Sequence, residues 1–284
     1  MIDETVEEIE EMQTHSSSVV AVNAAKALRT LAENEYPTVE EFQRALERNS
    51  SALRRANPSH ASLQKTQREI VGAVEAADAE SVAAAVEALD AAIGRVVESV
   101  EAGKHRAAEN AADIFEDGMT VLTHDYSSTV LEAIESAARD GAHLDVYVTE
   151  ARPRYLGRKT ARVLAGIDRV ETRLLVDSAA GHFLPACDRV VIGMDCIVGD
   201  TLYNRVGTYP LAATAADTDV PVTVVGSSAK IIDGGGFAFE NELRSPSEVM
   251  REPAEGFTVE NPAYDATPTR LLDTVVTDEG TREF

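Results

Sequence analysis

The sequence predicts an α/β protein in two parts: an all-helical N-terminal domain, residues 1–115, and a parallel-sheet domain, residues 116–284. Three observations carry this. Up to about residue 115 the apolar residues recur at helical spacing. From Gly118 onward, short β-branched runs alternate with helical stretches, the signature of a parallel sheet covered on both faces. Four of those runs lead straight into a carboxylate.

The helical part reads in order. Acidic positions 3 to 11 form a short exposed helix. Ser16, Ser17 and Ser18 supply N-cap candidates for a helix through Leu28 and Leu31. Thr38, with Glu41 three residues on, is a capping box that starts another helix after Pro37. Pro58-Ser59 marks the next break. The longest helix starts near Glu80-Ser81, with Val82, Val86, Leu89, Ile93, Val96 and Val100 along one face.

In the second part, strand 119–123 leads to Asp125, strand 144–149 to Glu150, strand 173–176 to Asp177 and strand 190–194 to Asp195. A fifth run, 220–225, leads through Ser227-Ser228 to Lys230. Helical stretches fall at 128–140, 158–166 and 206–216. Ligands of open α/β sheets sit outside the carboxyl ends of the strands. Polar groups gathered on that rim point to a small polar ligand such as a phosphorylated sugar or a nucleotide. Gly234-Gly235-Gly236 lacks the spacing of a dinucleotide fingerprint and reads as a turn, and no cofactor or metal motif is present in the sequence.

Charge excludes whole classes of partner. The 284 residues carry 26 Lys and Arg against 49 Asp and Glu, a net charge of −23. Only Lys26, Lys65, Lys104, Lys159 and Lys230 are lysines. Acids spread along the whole chain fit adaptation to high salt, where charges are screened within a few ångströms. They argue against DNA, RNA or anionic membrane, which need a basic stripe. A local basic patch at Arg152, Arg154, Arg158, Lys159 and Arg162 is the exception. Cys187 and Cys196 make no disulfide framework, which predicts a reducing, cytoplasmic compartment. No apolar run approaches the ~20 residues that span a bilayer, and the N-terminus lacks the pattern of a signal peptide.

Several blocks resemble the family of translation initiation factor 2B alpha, beta and delta subunits, which includes methylthioribose-1-phosphate and ribose-1,5-bisphosphate isomerases. They are Leu122-Thr123-His124-Asp125-Tyr126-Ser127-Ser128, Val148-Thr149-Glu150-Ala151-Arg152-Pro153 with Gly157-Arg158, and Val176-Asp177-Ser178-Ala179. Gly193-Met194-Asp195 with Asn204-Arg205-Val206-Gly207-Thr208, and Asn261-Pro262-Ala263-Tyr264-Asp265-Ala266-Thr267-Pro268 with Val276-Thr277-Asp278-Glu279-Gly280, complete the set. The resemblance implies a helical N-terminal domain, a Rossmann-like C-terminal domain and a homodimer or larger oligomer formed through the latter. It implies a phosphorylated small molecule as ligand and, through the family name, a translation factor as a further partner.

The family isomerases use a cysteine and an aspartate to transfer protons, and cationic groups to hold phosphates. By that resemblance Asp195 matches the aspartate, Asn204 the family asparagine with Arg205, Gly207 and Thr208 beside it, and Lys230 a lysine of the bisphosphate isomerases. The cysteine position holds Asp125. The two arginine segments read His15-Ser16-Ser17 and Asn57-Pro58-Ser59-His60. His15, Ser16 and His60 either form a replacement phosphate cradle with helix N-termini or are surface residues and caps.

Three roles fit Asp125: partner of Asp195 in acid–base chemistry, cap of the helix starting at Ser127 or Ser128, or ligand contact without turnover. Asp195 reads as ligand-facing or as a turn acid, and Lys230 as an anion contact or a solvated charge. Glu150 and Asp177 read as acids that bond loop backbone, and Cys196 as a buried small residue. The lost thiol and guanidinium groups favour an initiation-factor-2B-like binder of a phosphorylated sugar or nucleotide, regulatory or translation-related and without turnover. The alternative is a sugar-phosphate aldose–ketose isomerase that works through Asp195 and Asp125.

Overall fold

The computed structural model describes residues 2–11, 16–232, 239–241, 243–252 and 255–283. The chain divides into two compact units, Met1–Gly103 and Lys104–Phe284.

The first unit is built from α1 (Ile2–Glu10), α2 (Ser17–Ala27), α3 (Val39–Ala56), α4 (Ala61–Ala76) and the first part of α5 (Val82–Ala112). Local chemistry sets the boundaries. The Thr38 hydroxyl accepts from the Glu41 amide at 3.2 Å and caps α3. Ser81 does the same for α5, accepting from the Ala84 amide at 3.2 Å. Pro58 separates α3 from α4, because the residue before a proline is driven out of the helical region. Phe42, Leu46 and Leu53 of α3 join Leu63 and Ile70 of α4 and Leu89 and Ile93 of α5 in one core. Burying each such side chain contributes about 1.5–3 kcal/mol.

The second unit alternates as its β-branched runs require. It contains β1 (Thr120–His124), α6 (Ser128–Arg139), β2 (Leu144–Thr149), α7 (Leu156–Leu164), β3 (Val170–Leu175), α8 (Ala180–Phe183) and β4 (Arg189–Gly193). A hairpin of β5 (Cys196–Val198) and β6 (Thr201–Arg205) follows, then α9 (Thr208–Asp217), β7 (Val222–Val225) and β8 (Ile231–Ile232). The chain ends with α10 (Pro246–Val249), β9 (Tyr264–Pro268), β10 (Thr274–Thr277) and β11 (Gly280–Glu283).

The main sheet has seven strands in the order β11-β10-β7-β4-β1-β2-β3. All neighbours are parallel except β10 and β11. Consecutive residues of β4 go to opposite cores: Val190 and Ile192 to one face, Val191 to the other. Both faces of β4 are therefore buried, which is why it reads as a near-continuous apolar run.

Two features of this sheet position the site. From β1 the chain winds one way through β2 and β3, and from β4 the other way through β7 and β10, so the switch point lies between β1 and β4. The two strands pair only at Val121–Arg189 and Leu122–Val190, while β1 pairs with β2 along its whole length. Beyond Leu122 and Val190 the two strands no longer pair, at the point where sheets of this kind form their crevice.

A second sheet, β8-β5-β6-β9, grows out of the loop after β4. Sequence patterning does not reveal it, because a three-residue and a five-residue strand show too little alternation. The edge hairpin β10–β11 is likewise an antiparallel addition to the expected parallel sheet.

Gly157, in the first turn of α7, allows that helix to lie against the end of β2. A Cβ there would sit 1.8 Å from the Thr149 carbonyl oxygen. Gly157→Ala is expected to destabilise the protein by about 1–3 kcal/mol or more. The check is guanidinium unfolding, where the midpoint should fall with the slope unchanged; an unaltered midpoint would contradict the packing described.

Candidate functional site

Asp125 directly follows β1, and Asp195 stands two residues beyond β4. Arg205, the last residue of β6, reaches both. Its Nε lies 3.6 Å from Asp195 Oδ2 and 3.9 Å from Asp125 Oδ2. The three side chains are only 10–15% exposed. At these separations the groups are ion-paired without direct hydrogen bonds. The Arg205 guanidinium also lies 4.7 Å from the centre of the Tyr264 ring, a cation–π contact.

Asp125 occupies the left-handed region at φ 63°, where aspartate is one of the few tolerated side chains. Thr160 Oγ1 donates to its carbonyl at 2.6 Å. The helix-cap role is overturned: Ser127 caps α6, its hydroxyl accepting from the Val130 amide at 3.3 Å. A bare Gly193 makes room for that serine, since a Cβ there would lie 2.6 Å from Ser127 Oγ. Burial pushes the Asp125 carboxyl up from the ordinary range. Arg205 and His124 pull it back in part, and Asp195 adds to the rise.

Asn204, Gly207 and Thr208 form the loop that presents Arg205. Asn204 Nδ2 donates to Thr208 Oγ1 at 3.0 Å, and that hydroxyl donates to the Arg205 carbonyl at 2.7 Å. Asp265 Oδ2 accepts from the amides of Gly207 and Tyr209 at 2.8 and 2.9 Å. A protein carboxylate thus occupies the N-terminus of α9. His124 Nε2 donates to the Val206 carbonyl at 2.9 Å, and its Nδ1 lies 2.6 Å from Thr149 Oγ1. Gly207 has φ 107°, and a Cβ there would sit 2.6 Å from the His124 ring.

Lys230 is buried rather than solvated. Its ammonium donates to the Met194 carbonyl at 2.8 Å, bracing the peptide before Asp195. Burial pushes its pKa down, against the opposing pull of Asp195 and Cys196. Burial and the neighbouring Asp195 carry the Cys196 thiol up to about 12, so it offers no thiolate. Asp177 bonds loop backbone, accepting from the amides of Ala151 and Arg152 at 2.7 and 2.8 Å. Glu150 instead pairs with the Arg158 side chain at 2.6 Å.

Ser16 is the N-cap residue of α2, with no side-chain cap hydrogen bond. His60 caps α4, its Nδ1 accepting from the Leu63 amide at 3.2 Å. His15 and Gly234-Gly235-Gly236 lie outside the described residues.

One recess gathers side chains that sequence reading did not bring together. Arg154, Arg244, Glu248 and Asn261 line it with Asp125 and Arg205, and its cavity volume is about 20 Å³. Arg154 stood in the basic patch of the sequence. Arg244 carries no local signal, because it comes from the distant segment before β9. A second cavity of about 350 Å³ shares His124 and Gly207 with this region and adds Asp177, Ser178 and Thr214. Among the described residues no group of His, Cys, Asp and Glu is placed to hold a metal ion, and no helix is long and apolar enough to cross a membrane.

Fold and site together define a doubly wound α/β protein with a helical N-terminal unit and its charged groups at the crevice where such sheets receive ligands. The chain belongs to the initiation factor 2 subunit family, whose model matches residues 13–283. It is 31% identical to a ribose 1,5-bisphosphate isomerase of Haloferax volcanii, over 97% of this chain and 87% of that protein. It is also 31% identical to one of Methanocaldococcus jannaschii, over 99% and 91%. Among solved structures, translation initiation factor eIF-2B of Pyrococcus horikoshii superposes with a TM-score of 0.83 at 25% identity, covering 99% of this chain and 96% of that one.

Asp265→Ala would leave two amides at the start of α9 without their carboxylate. A loss of about 1–3 kcal/mol is expected, measurable by chemical unfolding. Full stability in this variant would show that the Arg205 loop is held some other way.

Proposed function

We propose that this protein isomerises a phosphorylated aldopentose to the matching ketose, with Asp125 and Asp195 as the proton-transfer pair. One observation carries the reading: two carboxylates from the strands that flank the switch point face a single guanidinium. The similarity to ribose 1,5-bisphosphate isomerases over nearly the whole chain supports it.

The chemistry suits two unlike carboxyl groups. In this exchange a hydrogen moves with its bonding electrons from C2 to C1 as the bond between C1 and the ring oxygen breaks, and the C2 hydroxyl becomes a carbonyl. One group gives a proton to the departing ring oxygen while another takes the C2 hydroxyl proton. Asp125, whose carboxyl burial pushes towards its protonated form, gives the proton. Asp195 takes the other. Arg205 stands between them and stabilises negative charge as it forms on the sugar oxygens. Composition is unchanged from substrate to product, so no oxidant or second substrate enters.

A binder without turnover, regulatory or linked to translation, is the second reading. The aspartate where the family cysteine stands and the non-arginine residues of the 15–17 and 57–60 segments favour it.

Conversion of ribose 1,5-bisphosphate at molar salt decides between them. Turnover is expected, with kcat about 10²–10⁴-fold lower in Asp125→Asn and in Asp195→Asn. Binding with no turnover in the unaltered protein would hand the function to the second reading.

The pH profile is a separate check. Asp125 is active while protonated, so kcat/KM should fall as pH rises through its elevated pKa. A rate that keeps climbing through neutral and alkaline pH would remove Asp125 from the acid role.

A further inference from the structure

The imidazole of His124 joins the ends of β1 and β2 to the loop that carries Arg205. His124 is the last residue of β1, immediately before Asp125, and it is only 3% exposed. Its Nε2 lies 2.9 Å from the carbonyl of Val206, the residue after Arg205. A carbonyl only accepts, so the ring hydrogen of this bond sits on Nε2. On the other side of the ring, Nδ1 is 2.6 Å from Thr149 Oγ1 at the end of β2. The protein engages both ring nitrogens.

The loop also rests on the ring itself. Gly207 adopts φ 107°, and a Cβ there would lie 2.6 Å from His124 Cε1 and 2.7 Å from Nε2. Glycine serves both needs at once, the positive φ and the close approach. Other contacts hold the loop from its far side. Asp265 Oδ2 accepts from the Gly207 amide at 2.8 Å, and the Val206 amide donates to the Ala263 carbonyl at 3.2 Å. Those bonds fasten the loop to β9 and the residue before it, whereas the Nε2 bond fastens it to the end of β1, where Asp125 stands.

The height of the loop matters to the site. Arg205 Nε stands 3.9 Å from Asp125 Oδ2 and 3.6 Å from Asp195 Oδ2. Attraction between such groups weakens with distance, so the position of the Arg205 backbone decides how strongly the guanidinium draws on either acid.

We infer that His124 is a positioning residue: its Nε2–H bond to the Val206 carbonyl fastens the Arg205 loop to the end of β1 and so sets the spacing of the guanidinium from Asp125 and Asp195. It acts through Arg205, since its own nitrogens are occupied. The inference rests on the reading of Asp125 and Asp195 as the site, and it adds the residue that fixes their distance from the shared cation.

The Asp125 carboxyl faces Arg205, His124, Asp195 and Arg154, so position has to be separated from the charge of a protonated imidazole. His124→Gln and His124→Asn do this, because both abolish the charge. The glutamine amide extends about as far as Nε2 and keeps a donor for the Val206 carbonyl, whereas the asparagine amide extends only as far as Nδ1. Carbon NMR titration of the Asp125 carboxyl reads the outcome. Its midpoint is expected about 0.5–1 unit higher in His124→Asn than in His124→Gln, as the unfastened guanidinium draws less on the carboxylate. Equal midpoints in the two variants overturn the proposal, because lost charge moves both alike. Should either variant fail to fold, nitrogen NMR of the unaltered protein takes its place. The His124 ring should carry a slowly exchanging hydrogen on Nε2, and a ring with hydrogen on Nδ1 alone overturns the proposal. Neither measurement needs turnover. A midpoint difference in a protein that isomerises nothing refutes the proposed activity and leaves the role of His124 standing.

Discussion

Two carboxyl groups withdrawn from water beside each other need a shared proton or a shared cation. Arg205 is that cation for Asp125 and Asp195. Without it, both acids would carry uncompensated charge at the mouth of the crevice, and the one on β1 would shift still further towards its neutral form. Much of the second unit serves to deliver this guanidinium. The β5–β6 hairpin carries it back over the ends of the parallel strands, and β9 pairs along β6 to stiffen the hairpin. Asp265 then clamps the following loop from the start of that same β9.

Acids dominate the sequence, yet arginines concentrate where β1, β6 and the segment before α10 approach one another. Shielding sharpens the contrast, because partly buried charges are screened by salt far less than surface ones.

The strand-end acids were legible because each follows a short β-branched run, and a parallel sheet puts all such ends on one rim. Their pairing across the switch point was not legible, since strand order follows from long-range contacts that no local pattern encodes. Reading Asp125 as a helix cap failed for a local reason: Ser127 stands one residue before α6 and takes the role, leaving Asp125 in a left-handed turn. Lys230 looked like either a solvated charge or an anion contact. Its burial against the Met194 carbonyl is a consequence of packing that the sequence does not carry. Helices giving way to strands near residue 115 was visible in the apolar spacing, whereas the division into compact units falls earlier, within α5. Arg244 and Glu248 were invisible because their meaning depends on Arg154 and Arg205, which arrive from elsewhere in the chain.

The shared cation and the elevated carboxyl beside it are most directly tested by carbon NMR titration of aspartate carboxyls, with Asp125 assigned through Asp125→Asn. The Asp125 signal should titrate above the ordinary carboxylate range, and higher again in Arg205→Gln, where the cation is gone. A midpoint at or below the ordinary range, or one indifferent to the loss of Arg205, would show that the two acids do not share a buried charge.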